Sequence, residues 1–285
     1  MSAADAPYRF NDRAGAEAFL RDLAGPAEAR LPLAEAALAL AALDRPRVDL
    51  QRYHDHLDSL ARVVGDAAAG AGDARQRLAA LNTVILGRYG YQGDTLTYED
   101  MQNANLMRVI DRRKGLPVAL GILYIHAARA QGWDMAGLAF PGHFLVRLAE
   151  PGGRLIVDPF DGGQIRAAAE LRELLKAIAG NAVELAPAHY AEVSDRDVLL
   201  RLQNNLKLRL LESRQTEKAL AVISGMTWFA PDQPALWREA GLVNAELGNL
   251  RAAIDALERF LALAADEAAR HQTALLLQKL KARLQ

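Results

Sequence analysis

The strings Glu217-Lys218-Ala219-Leu220 and Arg251-Ala252-Ala253-Ile254 stand 34 residues apart, and that period confines the last third of the chain to one architecture. Thirty-four residues hold a helix, a turn and a second helix, and such a unit buries its apolar face only by stacking on a neighbour. Pro231 closes the first unit. In the second, Trp237 and Gly241 take the large and small positions of the first helix, and Leu247-Gly248-Asn249 makes the turn. The register is imperfect: Lys207 stands where the first unit should carry a small residue, and Ala265 replaces the closing proline of the second. A last helix from Glu267 to Leu284 is expected to cover the open face of the final unit.

These features resemble tetratricopeptide repeats. With 285 residues, the chain has room for a second compact unit ahead of them, and two domains are expected, 1–190 and 191–285. A formal net charge of -1 supplies no global basic field, so neither nucleic acid nor a membrane surface is expected as a partner. The chain has no cysteine, which removes disulfides, thiolate metal sites and any thiol nucleophile together and suits a reducing compartment. Asp5, Arg9, Asp12, Arg13 and Glu17 interrupt the opening stretch to Leu20, which lacks the apolar centre of a secretory leader. No run of about 18 apolar residues follows, and a cytoplasmic protein is expected.

Apolar spacing predicts helices over 14–24, 32–43 and 50–68, from Asp73 to about 86, and over 103–113, 117–131 and 167–178. Pro117 suits the first turn of its helix and Gly132 the end of it. Three short apolar runs, Met135 to Phe140, His143 to Leu148 and Arg154 to Val157, are separated by Pro-Gly and Pro-Gly-Gly turns and read as strands. Helices followed by a small group of strands make this part α+β.

Thiolate acyl chemistry places a cysteine at a helix N-terminus, a histidine on a facing strand and an acid on the next strand to orient the imidazole. The helix from Pro117, the run carrying His143 and the run ending in Asp158 follow that order. The strings Leu81-Asn82, Gly90-Tyr91-Gln92-Gly93-Asp94, Asn103, Arg112-Arg113-Lys114-Gly115-Leu116-Pro117, Pro141-Gly142-His143-Phe144-Leu145 and Val157-Asp158-Pro159-Phe160-Asp161-Gly162-Gly163 resemble the SirB1 family, a branch of the transglutaminase-like superfamily. The resemblance runs from about Leu81 to Gly163, and terminal tetratricopeptide-like repeats belong to the same layout. It implies a papain/transglutaminase-like domain with a small antiparallel sheet, followed by all-α repeats. It also implies a cysteine one helix length before Gln131-Gly132, which falls on Pro117; Val118, Ala119, Leu120 and Gly121 offer no hydroxyl or thiol either. His143 and Asp158 are then two members of a Cys-His-Asp frame without its nucleophile.

The two side chains are expected to meet across adjacent strands near the start of the Pro117 helix. Two readings of the pair stand: a hydrogen-bonded clasp between strands, or an oriented base acting on a ligand group. Asn103, Gly142, Phe144 and Phe160 are candidates to line the cleft. Asn103 and Asn82 either donate into it or serve turns and caps. His54, His56 and Asp58 do not share one helix face, so a solvated face is expected there rather than a metal site; His126 reads as a core histidine. Arg112, Arg113 and Lys114 either cap their helix or meet an acidic partner. Trp228 and Trp237 fit repeat packing. The functional expectation is a non-catalytic scaffold binding a protein or peptide through the repeats, the cleft or both, with no cofactor. The alternative is a hydrolase or isopeptide-type enzyme using a water activated by His143 and Asp158.

Overall fold

The computed structural model describes residues 9–26 and 29–284. The opening residues up to Tyr8, on which the expectation of no secretory leader partly rests, lie outside the described residues. The first four helices are α1 (Arg13–Asp22), α2 (Leu33–Asp44), α3 (Gln51–Ala67) and α4 (Ala74–Asn82). α4 widens into a π-helical turn at Thr83–Arg88, where the Tyr89 amide reaches back five residues to the Val84 carbonyl. Strand β1 (Gln92–Gly93) then pairs in parallel with β2 (Lys114–Gly115). Between them the predicted helix 103–113 is broken in two. A 3-10 turn at Met101–Ala104 ends at Asn105, whose extended backbone and side-chain acceptor for the Arg108 amide make it the N-cap of α5 (Leu106–Arg112).

α6 (Pro117–Arg129) is apolar on nearly every side and packs against α2 and α3, as a helix buried in a domain centre must. The sheet beside it runs β3 (Met135–Gly137), β4 (Val146–Glu150), β5 (Gly153–Asp158) and β6 (Gln164–Ile165) in that spatial order, antiparallel throughout. Val146 faces Val157 and Leu148 faces Leu155, so the apolar sides of β4 and β5 coincide. The second strand begins at Val146 and not at His143, because the Pro141-Gly142 turn continues: Gly142 takes a φ of 64° and the His143 amide bonds to the Pro141 carbonyl. On its outer side β3 is met by 191–193, through Ala139 N to Ala191 O at 2.8 Å and Val193 N to Gly137 O at 3.0 Å. α7 (Ala168–Ala179) closes a satellite core of Leu138, Phe140, Leu145, Leu171 and Leu175.

The remaining helices are α8 (Asp195–Glu212), α9 (Thr216–Phe229), α10 (Pro234–Glu246), α11 (Leu250–Leu263) and α12 (Glu267–Leu284). Among the described residues, one compact unit comprises those up to Phe19 with Pro26–Leu202, the other Leu20–Gly25 with those from Gln203 on. The division lies inside α8 rather than at residue 190, because the segment after Pro187 is tied to β3 and Asp195 accepts from the Leu31 amide and from Arg129. In the second unit α10 and α11 pack Ala240 and Val243 with Ala256, and α12 covers Ala253, Ile254 and Leu257 with Leu277 and Leu280. Trp237 donates to the Pro231 carbonyl at 2.7 Å. Lys207, the misfit in the repeat pattern, pairs with Glu239 at 2.5 Å. Among the described residues no helix is long and apolar enough to cross a membrane.

Candidate functional site

Leu116, extended at ψ 160°, hands the chain into α6, and Pro117 takes its first position, where a missing amide costs nothing. His143 Nε2 lies 2.9 Å from Asp158 Oδ1. Asp158, the last residue of β5, is buried and accepts five N–H groups. Besides His143, Oδ1 takes the amides of Phe160 at 3.1 Å and Asp161 at 3.2 Å, while Oδ2 takes Arg166 Nη2 at 2.9 Å and Nε at 3.3 Å. Burial pushes the Asp158 carboxyl up, but His143, Arg166 and the Asp161 amide together hold it below the ordinary carboxylate range. An ionised carboxylate only accepts, so Nε2 of His143 carries its hydrogen and, in the neutral ring, Nδ1 keeps the lone pair. Among the described residues Nδ1 has no hydrogen-bond partner, and the side chain is 15% exposed.

The histidine is fixed from three sides. Arg201 Nη2 donates to the His143 carbonyl at 2.7 Å and Nη1 to that of Phe140 at 3.0 Å. Phe160 presents its ring edge-on at 6.2 Å, and a Cβ on Gly142 would come within 2.5 Å of Ile178. Phe160 also leads toward α6: a Cβ on Gly93 would meet its ring at 2.6 Å, and Gly93 pairs with Gly115, two residues before Pro117. Deeper in, Tyr124 of α6 donates to Asn82 Oδ1 at 2.8 Å, and Asn82 Nδ2 donates to the Gly163 carbonyl at 3.1 Å. Burial and then the Asp158 charge push the Tyr124 hydroxyl up, so it remains a neutral donor.

Several expected site residues have other employment. Asn103 is fully buried; its amide donates to the Thr97 carbonyl at 2.7 Å and its oxygen accepts from Arg112 at 2.8 Å, so it offers nothing to a cleft. Phe144 is core, packed on Gly121 and Gly137 with Arg201 over its ring at 5.5 Å. Gly142 serves the turn. Arg112 and Arg113 do not cap α5 with their side chains: Arg112 reaches Asp94 at 2.9 Å, while Arg113, at a φ of 60°, turns toward Tyr91 and His56. Nor is the α3 histidine face solvated. His54 is buried, 3.1 Å from the Phe10 carbonyl and 2.8 Å from Glu35 Oε2. His126 accordingly sits against the Leu57 carbonyl at 3.1 Å, the core histidine expected. Sequence alone does not reveal Arg166, Arg201 and Tyr124, because no spacing ties a side chain to a distant carboxylate, carbonyl or amide.

A family model described as transglutaminase-like superfamily matches residues 51–204, and one described as tetratricopeptide repeat matches 206–278. A UPF0162 protein of Xylella fastidiosa is 32% identical over 241 residues, which cover 82% of this chain and 84% of the relative. A UPF0162 protein of Vibrio cholerae is 30% identical over 81% of this chain and 86% of its own length. Protein SirB1 of Salmonella typhimurium is 24% identical over 81% and 86%. With a superfamily match over more than half its length and relatives alike along four-fifths of it, the chain belongs to the SirB1 family of the transglutaminase-like superfamily.

Proposed function

We propose that this protein is a non-catalytic scaffold whose helical repeats bind a protein or peptide, its transglutaminase-like domain having lost thiol chemistry. The observation that carries the reading is a set of exposed leucines on the helices of the second unit. Leu208 and Leu211 lie on α8, Leu242 on α10 and Leu275 on α12, at 54%, 36%, 41% and 48% exposure, while among the described residues α9 and α11 expose no large apolar side chain. Leu208 and Leu242 are separated by one repeat period, so the stacked units present the same apolar position on alternate helices. Exposed apolar side chains recurring at the repeat period suit the apolar face of a helix or an extended segment. Pro117 supports the other half of the proposal: no side chain at the first turn of α6 can attack a carbonyl.

The test is affinity purification of the full chain beside its Leu208→Asp/Leu242→Asp variant, with mass spectrometry of what is retained and circular dichroism as the folding control. Partners held by the wild type and lost by a folded variant are expected. The same partners held equally by both would refute the role of the exposed leucines. A second reading draws on the unengaged Nδ1 of His143, which is placed to take a proton from water. It predicts hydrolysis of an amide substrate that vanishes in His143→Ala with the fold intact, whereas the scaffold reading predicts only a fall in stability.

A further inference from the structure

A cavity of about 260 Å³ lies between α3 and the end of α5, lined by Arg52, Tyr53, His56, Ile110, Asp111 and Arg113. Arg113 ends α5 in the left-handed region, where glycine is the strain-free choice, so the backbone alone does not account for a long side chain there. Its guanidinium is held by one nitrogen and two rings. Nη1 donates to the Tyr91 hydroxyl at 2.6 Å and lies 3.0 Å from His56 Nε2, and the group stacks over Tyr91 at 4.9 Å and Tyr89 at 5.6 Å. Among the described residues no carboxylate lies within ion-pair distance of it, and Nε and Nη2 make no hydrogen bond. A planar fork with a free edge, already immobilised by stacking, is the geometry that grips an oxyanion in two parallel bonds.

The surrounding charges leave Arg113 in surplus. Asp111 is shared by Arg45 at 2.8 Å, Arg52 at 2.5 Å and the Tyr53 hydroxyl at 3.0 Å, and Asp49 also acts on Arg52. Three guanidiniums thus face two carboxylates. His56, depressed to about 4 by burial and then by Arg113, adds an acceptor and no charge at neutral pH. We propose that this cavity binds the phosphate or carboxylate group of a small ligand on the free edge of Arg113, with Arg52 as the second cation. The volume, just under that of a drug-sized site, limits the ligand to a small one. The site shares no residue with the His143–Asp158 pair or the exposed leucines and stands apart from the scaffold reading.

Thermal denaturation of the full chain in inorganic phosphate or citrate, each against sodium chloride at equal ionic strength, tests this. A saturable rise in melting temperature with either probe is expected, and which probe acts separates a tetrahedral from a planar carboxylate ligand. Arg113→Gln should weaken the response at least about tenfold. Should that variant not fold, Arg113→Lys, which keeps the charge and loses the fork, and Arg52→Gln, at an exposed residue, take its place with the same expectation. No saturable response to either probe, or an undiminished one in the folded variants, overturns the proposal.

Discussion

Asp158 binds three parts of the first unit through one carboxylate: the turn before β4, the turn after β5 and the arginine that follows β6. Removing it leaves the His143 ring N–H and the Phe160 and Asp161 amides without their acceptor and Arg166 with only the exposed Asp161 and Glu170 carboxylates, and Asp158→Ala should cost about 3–5 kcal/mol in urea denaturation. Acid acts on the buried carboxylates of this unit with a definite sign. Asp94 is lowered to about 2, chiefly by the Thr97 hydroxyl and also by Arg112, and Asp158 is lowered too; their contributions are complete above the unfolded value near 4 and are lost as pH falls through the folded one. For Asp94 this amounts to about 2 kcal/mol between pH 4 and 2. His56 acts earlier. Because it is lowered to about 4, the unfolded chain binds its proton first, and stability falls between about pH 6.5 and 4. The denaturation midpoint followed against pH should show both stages, and His56→Gln should flatten the upper one. His54, raised by Glu35 against its burial, has the opposite sign: its contribution is whole at acid pH and fades as pH rises through its folded value. At this scale the His143–Asp158 contact was legible, because both residues sit in short distinctive strings. The roles of Asn103 and Arg113 were not, since a polar side chain beside a turn can bond inward or outward and local sequence does not choose.

α6 shows what the sequence can and cannot say about an element. Its limits and its burial follow from Pro117, the apolar run and Gly132, but the closeness of its neighbour does not. Gly121 lets the Phe144 ring lie directly on the helix, and a Cβ there would run into ring carbons. Gly121→Ala should therefore destabilise by about 1–3 kcal/mol in chemical denaturation, despite improving helix propensity. The split at Asn105 escaped the apolar pattern, which continues across it. Asn105 is singled out by its own bonds, to the Arg108 amide and from its Nδ2 to the Ala41 carbonyl and Asp44, and only the fold supplies the last two. The late start of β4 has a similar origin, because alternating residues look alike whether or not a turn has finished.

For the molecule, the 34-residue period revealed the repeats and their cover in advance, and α12 lies where a capping helix was expected. A chain ending after Ala265 should expose Ala253, Ile254 and Leu257, forgo about 3–6 kcal/mol of burial by Leu277 and Leu280, and melt earlier in the repeat unit, as calorimetry would register. The position of the division was less legible: the hydrogen bonds that draw 191–202 into the first unit link residues far apart in sequence. One of those links has a wider consequence. With 191–193 lying along β3 and only two residues in β6 at the other side, the four-stranded sheet has no long free margin on which a visiting chain could lay down hydrogen bonds. Among the described residues this sheet is thereby guarded against strand addition and against the edge-to-edge association that exposed strands invite, and under the scaffold proposal a peptide would be read by side chains on helices.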